Sequence, residues 1–495
     1  MKKMRDVRVL LVSPNVLGLK DGINRIQPGL GIMYIAAVLE QRGCGVAIYD
    51  SALEGYERQV EVPGRPNIVE IGDDDEAIAR RIKTFRPDIV GISVLFYNQS
   101  AQAYHLAKLV KGIDGAIPVV VGGNQVAEEY SGLMQNENFD FAMITESDHN
   151  FADFVELYFS GGDFHAVPGL VYRKGDTLAV NPAGGIVKNL NELPFPARHL
   201  VNMEKYFQIS MFHNPYSRHP RVGNVMTSRG CPEKCTFCTT PLRWGKNIRW
   251  RSSENVYQEI LQLKEQYGVG EIQFEDDSLT LNIKNLFTLC DLIGPLGLSW
   301  NTVNGIRADY HGRQTGKQER MFQKMAEAGC YQVCLGVETG NQDLLDNLLN
   351  KHLDLHAVEP CVTAAKKAGL AVHLFLMVGF PGETIEQMHN TIRFAEGLDV
   401  DSCSISIYSP LPGTRLYDYA VSNNYLVDGF SKDNILFAKA NIKVPGMTSD
   451  EFEEQVVKWT NRLNNRLKEK SPEQYREKYA KFLNENNTFL FRKHS

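Results

Sequence analysis

Apolar runs and amphipathic stretches alternate along the first third of the chain. The run 7–13 is short and, apart from Arg8 and Ser13, continuously apolar, as a parallel strand buried on both faces requires. Ile32, Ile35, Ala36 and Leu39 then recur at helical spacing until Gly43. Four more strands are predicted at 46–49, 89–94, 119–121 and 141–144, with helices at 77–85 and 101–111. This alternation predicts a doubly wound, Rossmann-like α/β domain, which binds ligands at the carboxyl ends of its strands.

A second alternation begins near residue 222. Strands are predicted at 223–227, 271–275, 300–306, 332–337, 371–378 and 402–408, with helices between them. Six βα units in succession predict a parallel (β/α)6 barrel, closed or partial, with its chemistry at the carboxyl ends of the strands. A hairpin at 169–180 and a proline-containing linker at 193–198 separate the two alternations, and a mostly helical region follows them. The predicted domains are therefore 1–160, a hairpin and linker at 161–219, a barrel at 220–415 and a helical region at 416–495.

Composition narrows the class of protein. The chain has 495 residues, of which 43% are hydrophobic and 23% charged, as in a soluble globular protein of several domains. A net charge of −6 gives no general attraction to nucleic acid, so we expect none as a partner. No signal peptide and no apolar stretch of the roughly 20 residues that a membrane span needs are evident. We therefore expect a cytoplasmic protein without a transmembrane segment.

Three of the nine cysteines lie within eight positions. Cys231, Cys235 and Cys238 have the spacing C-x3-C-x2-C, directly after the first predicted barrel strand. Three thiolates can bind three irons of a [4Fe–4S] cubane, which leaves the fourth iron open to a chelating substrate. Structural zinc usually takes four closed ligands. The other near pair, Cys330 and Cys334, lies on a predicted strand, where core packing explains it.

This cysteine motif resembles that of the radical S-adenosylmethionine superfamily, and the aromatic Phe237 before the last cysteine fits the resemblance, as do Gly230 and Pro232. The resemblance implies that S-adenosylmethionine is cleaved reductively to a 5′-deoxyadenosyl radical. It also implies an electron donor, such as a flavodoxin or a ferredoxin.

Further motifs follow at the ends of the later strands. Phe274-Glu275-Asp276-Asp277 stands where family members hold the methionine amine, although an acidic patch alone also fits a magnesium site or a solvated turn. Residues 336–340 resemble the family's GIESG motif, with threonine in place of serine, and residues 379–384 resemble its GxPGET motif. The resemblance implies that the following residues contact S-adenosylmethionine: Phe237, Glu275, Asp276, Glu338, Thr339 and Phe380.

The N-terminal domain resembles cobalamin-binding domains. Ser93-Val94-Leu95 and, after 26 residues, Gly122-Gly123 match the S-x-L…GG pair, in which small residues leave a slot for the nucleotide tail. A domain without a cofactor could carry this pair by accident. The segment 28–37 resembles a helix start that lies against the corrin ring. The implied cobalamin contacts are Gly29, Leu30, Gly31, Ser93, Leu95, Gly122, Gly123, Asn124 and Glu146.

The chain departs from that family at several points. Residues around Asn124 and Glu146 differ from the usual GGxHA and GEGE, so local contacts to the corrin are in doubt. The motif D-x-H-x-x-G, which supplies a histidine to cobalt, is missing, since the first histidine is His105 in a predicted helix. Asp163–Gly169 is one residue too long and follows the last strand of the domain. We therefore expect cobalamin without a histidine axial ligand.

The combined motifs resemble the cobalamin-dependent radical S-adenosylmethionine methyltransferases over nearly the whole chain. The resemblance implies methyl transfer to an unactivated carbon of a biosynthetic intermediate, such as a natural product, a lipid or a sugar. The alternative is a cobalamin-binding cyclase, or another oxidoreductase that forms C–C or C–O bonds without methyl transfer. A methylthiotransferase would need a second cysteine cluster, and a cobalamin or light sensor would leave the cysteines unused.

Three residues are candidates for substrate contact: Arg307, His373 and Tyr408. Arg307 would face an anion, or form a surface ion pair. His373 and Tyr408 would line the substrate space, or simply belong to the core. The basic segment 462–495 is expected to be a solvated helical surface, with a phosphate- or lipid-facing patch as the alternative.

Overall fold

The computed structural model describes residues 2–20, 22–245, 247–312, 316–436, 438–470 and 472–473. The chain divides into two compact units, Met1–Phe212 and His213–Ser495, which we call the N-terminal and the C-terminal unit. Within the described ranges no helix is long and apolar enough to span a membrane. From residue 474 onward, the predicted basic surface lies outside the described residues.

The described part of the N-terminal unit contains ten strands and seven helices. The strands are β1 (Arg8–Ser13), β2 (Val16–Leu19), β3 (Gly45–Asp50), β4 (Gln59–Glu61), β5 (Ile68–Ile71), β6 (Ile89–Ser93), β7 (Val119–Gly122), β8 (Phe141–Met143), β9 (Leu170–Lys174) and β10 (Thr177–Val180). The helices are α1 (Leu30–Gln41), α2 (Ser51–Glu54), α3 (Asp75–Phe85), α4 (Ser100–Ile113), α5 (Val126–Leu133), α6 (Asn150–Ser160) and α7 (Met203–Ile209).

The main sheet of this unit has the order β10-β9-β8-β7-β6-β1-β3. Strands β3, β1, β6, β7 and β8 are parallel, whereas the hairpin β9–β10 is added antiparallel to β8. Strand β3 lies on one side of β1, and the next strand of the sheet, β6, lies on the other side. The direction in which strands are added therefore reverses between β1 and β6. In doubly wound sheets this switch point, at the carboxyl ends of the strands, is where ligands bind.

The predicted strands and helices of this unit are present within a few residues. The segment 14–29 had been expected to be a loop, but it contains β2. That strand pairs with β5, and β5 with β4, in a separate antiparallel sheet that the sequence analysis had not predicted. Helix α1 ends as expected, because Gly43 takes a left-handed φ of 88° that stops the helix.

The C-terminal unit contains eight strands and eight helices among its described residues. The strands are β11 (Val222–Val225), β12 (Ser228–Arg229), β13 (Arg249–Trp250), β14 (Glu271–Phe274), β15 (Ser299–Thr302), β16 (Cys330–Glu338), β17 (Ala371–Val378) and β18 (Ser402–Ile407). The helices are α8 (Thr240–Trp244), α9 (Ser253–Tyr267), α10 (Ile283–Ile293), α11 (Lys317–Glu327), α12 (Val358–Lys367), α13 (Ile385–Gly397), α14 (Arg415–Ser422) and α15 (Ser449–Lys470).

Six strands of this unit form one sheet in the sequential order β11-β14-β15-β16-β17-β18. All neighbours are parallel, with helices in the connections, as expected for six βα units. Closure of this sheet into a barrel stays a prediction. Every loop that follows a strand lies at the same edge of the sheet, so the predicted motifs are brought to one edge, the carboxyl edge.

The third predicted strand ends earlier than expected. Strand β15 stops at Thr302, and residue Ile306 only forms an isolated bridge with Leu335. An added Cβ at Gly305 would come 2.8 Å from the backbone nitrogen of Gly336, so the two backbones approach closely there. Pairing with β16 resumes at Ile306, whose N–H donates to the Cys334 carbonyl at 2.8 Å.

Candidate active site

The three motif cysteines lie on the loop between β12 and α8. Each of their side chains is partly exposed, whereas the other six cysteines of the chain are buried. All nine are free thiols. The loop starts at Gly230, whose φ of 104° is unfavourable for any residue with a Cβ. The residues are thus grouped where the sequence predicted them, after the first barrel strand.

Asp276 holds the backbone that leads into this cysteine loop. Its buried carboxyl group accepts hydrogen bonds from the Thr227 N–H at 3.1 and 3.0 Å, from the Thr227 hydroxyl at 2.6 Å and from the Ser228 hydroxyl at 2.6 Å. Burial raises the pKa of Asp276 to about 6, although these hydrogen bonds partly oppose the shift. The contact of Asp276 with S-adenosylmethionine stays a prediction. The observed hydrogen bonds join the end of β14 to the start of the cysteine loop.

The thiols fit a cluster better than a single ion. Among the described residues no three His, Cys, Asp or Glu side chains converge on one metal position. A cubane does not need such convergence, because each thiolate binds a different iron. Burial raises the pKa of Cys231 to about 11 and that of Cys235 to about 12. These thiols are therefore protonated at neutral pH and release protons when they bind iron.

Glu275 offers a carboxylate oxygen with free bonding capacity at the carboxyl edge. Its Oε2 lies 2.9 Å from Nδ1 of His213. Its Oε1 is buried and has no hydrogen-bond partner among the described residues. Since a buried acceptor is rarely left unsatisfied, this atom points to a donor supplied by a ligand, such as an ammonium group.

Glu338 ends β16 in a strained conformation. Its φ is 71°, which is uncommon for a residue with a side chain and typical of functional sites. Lys351 donates a hydrogen bond to Glu338 Oε1 at 2.6 Å, and both side chains are mostly buried. Lys351 was not predicted from the sequence, because no motif marks it and its partner is thirteen residues away.

Thr339 and Phe380 are both buried. The Thr339 hydroxyl lies 2.9 Å from that of Thr391 on α13, so it anchors the turn after β16 to a helix. Phe380 packs on Tyr408 with ring centroids 5.5 Å apart. The Glu383 carboxylate accepts hydrogen bonds from the N–H groups of Gly379 at 2.7 Å and Phe380 at 3.1 Å, which fixes the turn after β17. Phe237 is partly exposed beside the cysteines.

The three candidates for substrate contact have different surroundings. His373 uses both ring nitrogens, at 2.7 Å from the Ser402 hydroxyl and 2.9 Å from that of Ser404. Tyr408 is buried against Phe380. Arg307 is surrounded by acceptors of the protein itself. None of these roles is tested by the geometry, and they stay predictions.

The N-terminal unit presents a second candidate site at its switch point. Ser93 and Gly122 lie opposite each other in register at the ends of β6 and β7. Gly123 has a φ of 113°, and an added Cβ would lie 2.4 Å from the Val94 carbonyl oxygen. At Gly122 the nearest atom to an added Cβ is Cβ of Met143, at 3.8 Å, so this side of the strand end is open. Neither glycine places a side chain at these strand ends, and the binding of a nucleotide tail there stays a prediction.

The other predicted cobalamin contacts are distributed around this strand edge. Leu95 is 36% exposed, and Asn124 is partly exposed beyond the glycine pair. Gly29 caps α1, in which Leu30 is buried and Gly31 is exposed. Glu146 is buried, and its Oε2 accepts a hydrogen bond from the Val187 N–H at 3.1 Å. The neighbouring Phe96, which is 55% exposed, was not predicted, because motif matching stops at Leu95.

Comparison with known proteins assigns both units. Residues 225–395 match the model of the radical SAM superfamily, and residues 23–155 match that of the B12 binding domain. Cytidylyl-2-hydroxyethylphosphonate methyltransferase of Streptomyces wedmorensis is 31% identical over 490 residues, which covers 93% of this chain and 90% of that relative. The chain belongs to the cobalamin-dependent radical SAM enzymes. An uncharacterised methyltransferase of Pyrococcus horikoshii is 32% identical and covers 86% of this chain and 85% of its own.

A solved structure shows the same fold for a cobalamin-dependent radical SAM enzyme. The methyltransferase TsrM of Kitasatospora setae, with cobalamin and a [4Fe–4S] cluster bound, has a TM-score of 0.66 at 16% identity and covers 99% of this chain and 87% of its own. The predicted α/β class, with a cobalamin-binding domain before a radical SAM domain, is confirmed. The chain is an enzyme of the methyltransferase type, and its cofactors are a [4Fe–4S] cluster, S-adenosylmethionine and cobalamin.

Proposed function

We propose that this enzyme transfers a methyl group from S-adenosylmethionine, by way of cobalamin, to an unactivated carbon of a small biosynthetic intermediate. The observation that carries the proposal is the grouping of three partly exposed thiols with the unsatisfied oxygen of Glu275 at one sheet edge. The match to a methyltransferase over 93% of the chain supports it. When bound, the cluster and S-adenosylmethionine supply a radical that removes a hydrogen atom, and cobalamin supplies the methyl group.

The chain's own residues bind and orient these groups. Cys231, Cys235 and Cys238 would each bind one iron, and their loop is held by Asp276. Glu275 Oε1 would accept a hydrogen bond from the methionine ammonium group. Glu338 would bind a polar group of the same ligand, and Phe380, with Phe237, would pack against its apolar parts. The hydroxyl of Thr339 and the carboxylate of Glu383 would keep the two flanking turns in place.

The N-terminal unit would bind cobalamin at its switch point. Ser93, Gly122 and Gly123 would line the slot for the nucleotide tail, with Leu95 and Asn124 at its mouth. Gly29, Leu30 and Gly31 at the start of α1, and Glu146 after β8, complete the proposed contacts. We propose that cobalt has no histidine ligand, because the loop after β1 contains none. The domain limits 1–160, 161–219, 220–415 and 416–495 belong to the same proposal.

The methyl acceptor is proposed to be a polar molecule. One face of β17 and β18 carries His373 and Ser404, which are hydrogen bonded to each other and only partly buried. We propose that this face lines the substrate space. Such a wall suits a polar molecule better than a hydrocarbon. The Streptomyces relative acts on a cytidylylated phosphonate, which is also a polar molecule.

We propose further that the reaction takes place in the cytoplasm and that a flavodoxin or a ferredoxin supplies the electrons.

A cyclase is the second candidate. Anaerobic magnesium-protoporphyrin IX monomethyl ester cyclase of Rubrivivax gelatinosus is 24% identical over 458 residues and covers 91% of this chain. A cyclase would use the same cofactors without placing a methyl group in the product.

Methyl-labelled S-adenosylmethionine separates these functions. A methyltransferase is expected to place the label in the product and to form 5′-deoxyadenosine, S-adenosylhomocysteine and methylated product in equal amounts. Candidate acceptors are phosphonates and their cytidylyl derivatives. Label that remains in methionine alone, together with a changed acceptor, would favour the cyclase and reject methyl transfer.

A further inference from the structure

Arg307 follows β15 at the carboxyl edge, and its guanidinium is almost completely used by the protein. Its Nε donates to Asp309 Oδ1 at 2.6 Å, and one terminal nitrogen donates to Asp309 Oδ2 at 3.0 Å and to the His352 carbonyl at 2.7 Å. The other terminal nitrogen lies 2.6 Å from the Lys351 carbonyl and 3.0 Å from Glu233 Oε2. Four of these contacts are hydrogen bonds and the fifth, to Glu233, is an ion pair, so protein groups surround a guanidinium that has five N–H donors.

Three of these contacts reach the cysteine loop or the segment 350–352: one goes to Glu233, and two go to the carbonyls of Lys351 and His352. Glu233 stands between Cys231 and Cys235, and its other oxygen accepts a hydrogen bond from the Tyr310 hydroxyl at 2.6 Å. The segment 350–352 contacts the same loop directly, since the Asn350 side chain donates to the Lys234 carbonyl at 2.8 Å. Arg307 therefore joins two segments that are more than 100 residues apart in the chain.

The segment 350–352 also contacts Glu338 through a hydrogen bond. Lys351, whose carbonyl accepts from Arg307, donates from its ammonium group to Glu338. Asn350, His352 and Glu338 all have left-handed φ values, of 49°, 50° and 71°. Left-handed residues with side chains are strained and persist only where their surroundings hold them. The contacts to Arg307 hold two consecutive carbonyls of this segment.

We propose that Arg307 is a positioning residue, which clamps the Cys231–Cys235 loop to the segment 350–352 and thereby fixes Glu338 relative to the cluster. The proposal rests on the proposed roles of these cysteines and of Glu338. It is an alternative to the predicted contact between Arg307 and the substrate. Lysine cannot take over this role, because one ammonium group cannot serve two carboxylates and two carbonyls in the planar arrangement of a guanidinium.

The test uses the reconstituted holoenzyme and needs no methyl acceptor. Arg307→Lys should weaken S-adenosylmethionine binding about 10- to 100-fold, as is typical when a partner behind a metal ligand is lost. The change in the electron paramagnetic resonance spectrum of the reduced cluster on addition of S-adenosylmethionine should shrink or broaden. Arg393→Lys, at an exposed ion pair on α13, is the matched control and should behave as wild type. Tyr310→Phe, which removes one hydrogen bond from Glu233, should show a smaller loss and provides the test if Arg307→Lys does not fold.

Other results would overturn the clamp. Arg307 does not position Glu338 if Arg307→Lys binds S-adenosylmethionine with the wild-type affinity and shows the wild-type spectral change. If Arg307→Lys does not fold, the same result for Tyr310→Phe leads to the same conclusion. The clamp would also be contradicted if Arg307→Lys and Glu338→Gln had additive effects on the free energy of S-adenosylmethionine binding, since the effects of a coupled pair are non-additive. Failure of the wild type itself to bind iron or S-adenosylmethionine would instead reject the proposed function.

Discussion

Buried carboxyl groups fix the backbone of two motif turns in the C-terminal unit. Asp276 accepts hydrogen bonds from Thr227 and Ser228 before the cysteine loop, and Glu383 accepts them from Gly379 and Phe380 after β17. Both stand in motifs that the sequence identified. What the sequence does not give is the bonding partner, which depends on how neighbouring loops fold back.

Glu383 should make stability depend on pH. Burial raises its pKa from 4.5 to about 8, although the two backbone hydrogen bonds partly oppose the shift. Because the folded state binds this proton more tightly than the unfolded state, its contribution is complete below pH 4.5 and is lost as pH rises through 8. We therefore expect the free energy of unfolding to fall across this window by at most about 1.4 kcal/mol per pH unit from this group.

Glu383→Gln should remove that part of the pH dependence, because the amide oxygen still accepts both bonds but does not ionise. Chemical denaturation of the apoprotein between pH 6 and 9 measures the effect. Equal slopes for the variant and the wild type would show that Glu383 does not titrate in this window. Asp50 in the N-terminal unit, whose pKa burial raises to about 6, should contribute equally in both proteins.

Residue roles were the least predictable part of the site. The motifs located the cysteines, Glu275 and Glu338 from sequence alone. Arg307 was expected to face an anion or to form a surface ion pair, and its partners are two carboxylates and two carbonyls of the protein. These partners come from loops far apart in the chain, which a pattern of residues along one strand cannot reveal.

At the scale of elements, apolar periodicity predicted the buried strands well. Strands such as β1 and β6 are buried on both faces, so they stand out as continuous apolar runs. The sheet β2-β5-β4 was missed because β4 is fully exposed and β2 is mostly only partly buried. The length of β15 was overestimated, because residues 303–305 lie outside the ladder and pairing with β16 resumes only at Ile306, which local sequence does not show.

The ends of β6 and β7 allow a specific test of cobalamin binding. Gly122→Leu should abolish cobalamin binding while the cluster and the fold remain, because a Cβ fits at Gly122 and the larger side chain would then fill the slot. Cobalamin and iron contents of the reconstituted protein, with circular dichroism, measure this. Gly132→Leu, on α5 of the same unit, is the control away from the strand ends. Retention of cobalamin by Gly122→Leu would show that the nucleotide tail binds elsewhere.

For the whole molecule, two units carry separate parts of one reaction. The order of a doubly wound sheet followed by six parallel βα units was predictable, because each unit has its own regular alternation. The methyl acceptor could not be predicted from the sequence, because the residues that would contact it are spread over several strands. The family and the cofactors follow from the match of both units to known domains.

The cysteine loop carries the central claim, and formation of 5′-deoxyadenosine tests it most directly. Wild-type protein reconstituted without oxygen should bind about four irons, and dithionite should bleach its absorbance and start the cleavage of S-adenosylmethionine. A variant with alanine at Cys231, Cys235 and Cys238 should lose both the iron and the 5′-deoxyadenosine. Cys330→Ala, at a buried cysteine of β16, should keep both. If the triple variant still forms 5′-deoxyadenosine from S-adenosylmethionine, these cysteines do not hold the cluster and the account is wrong.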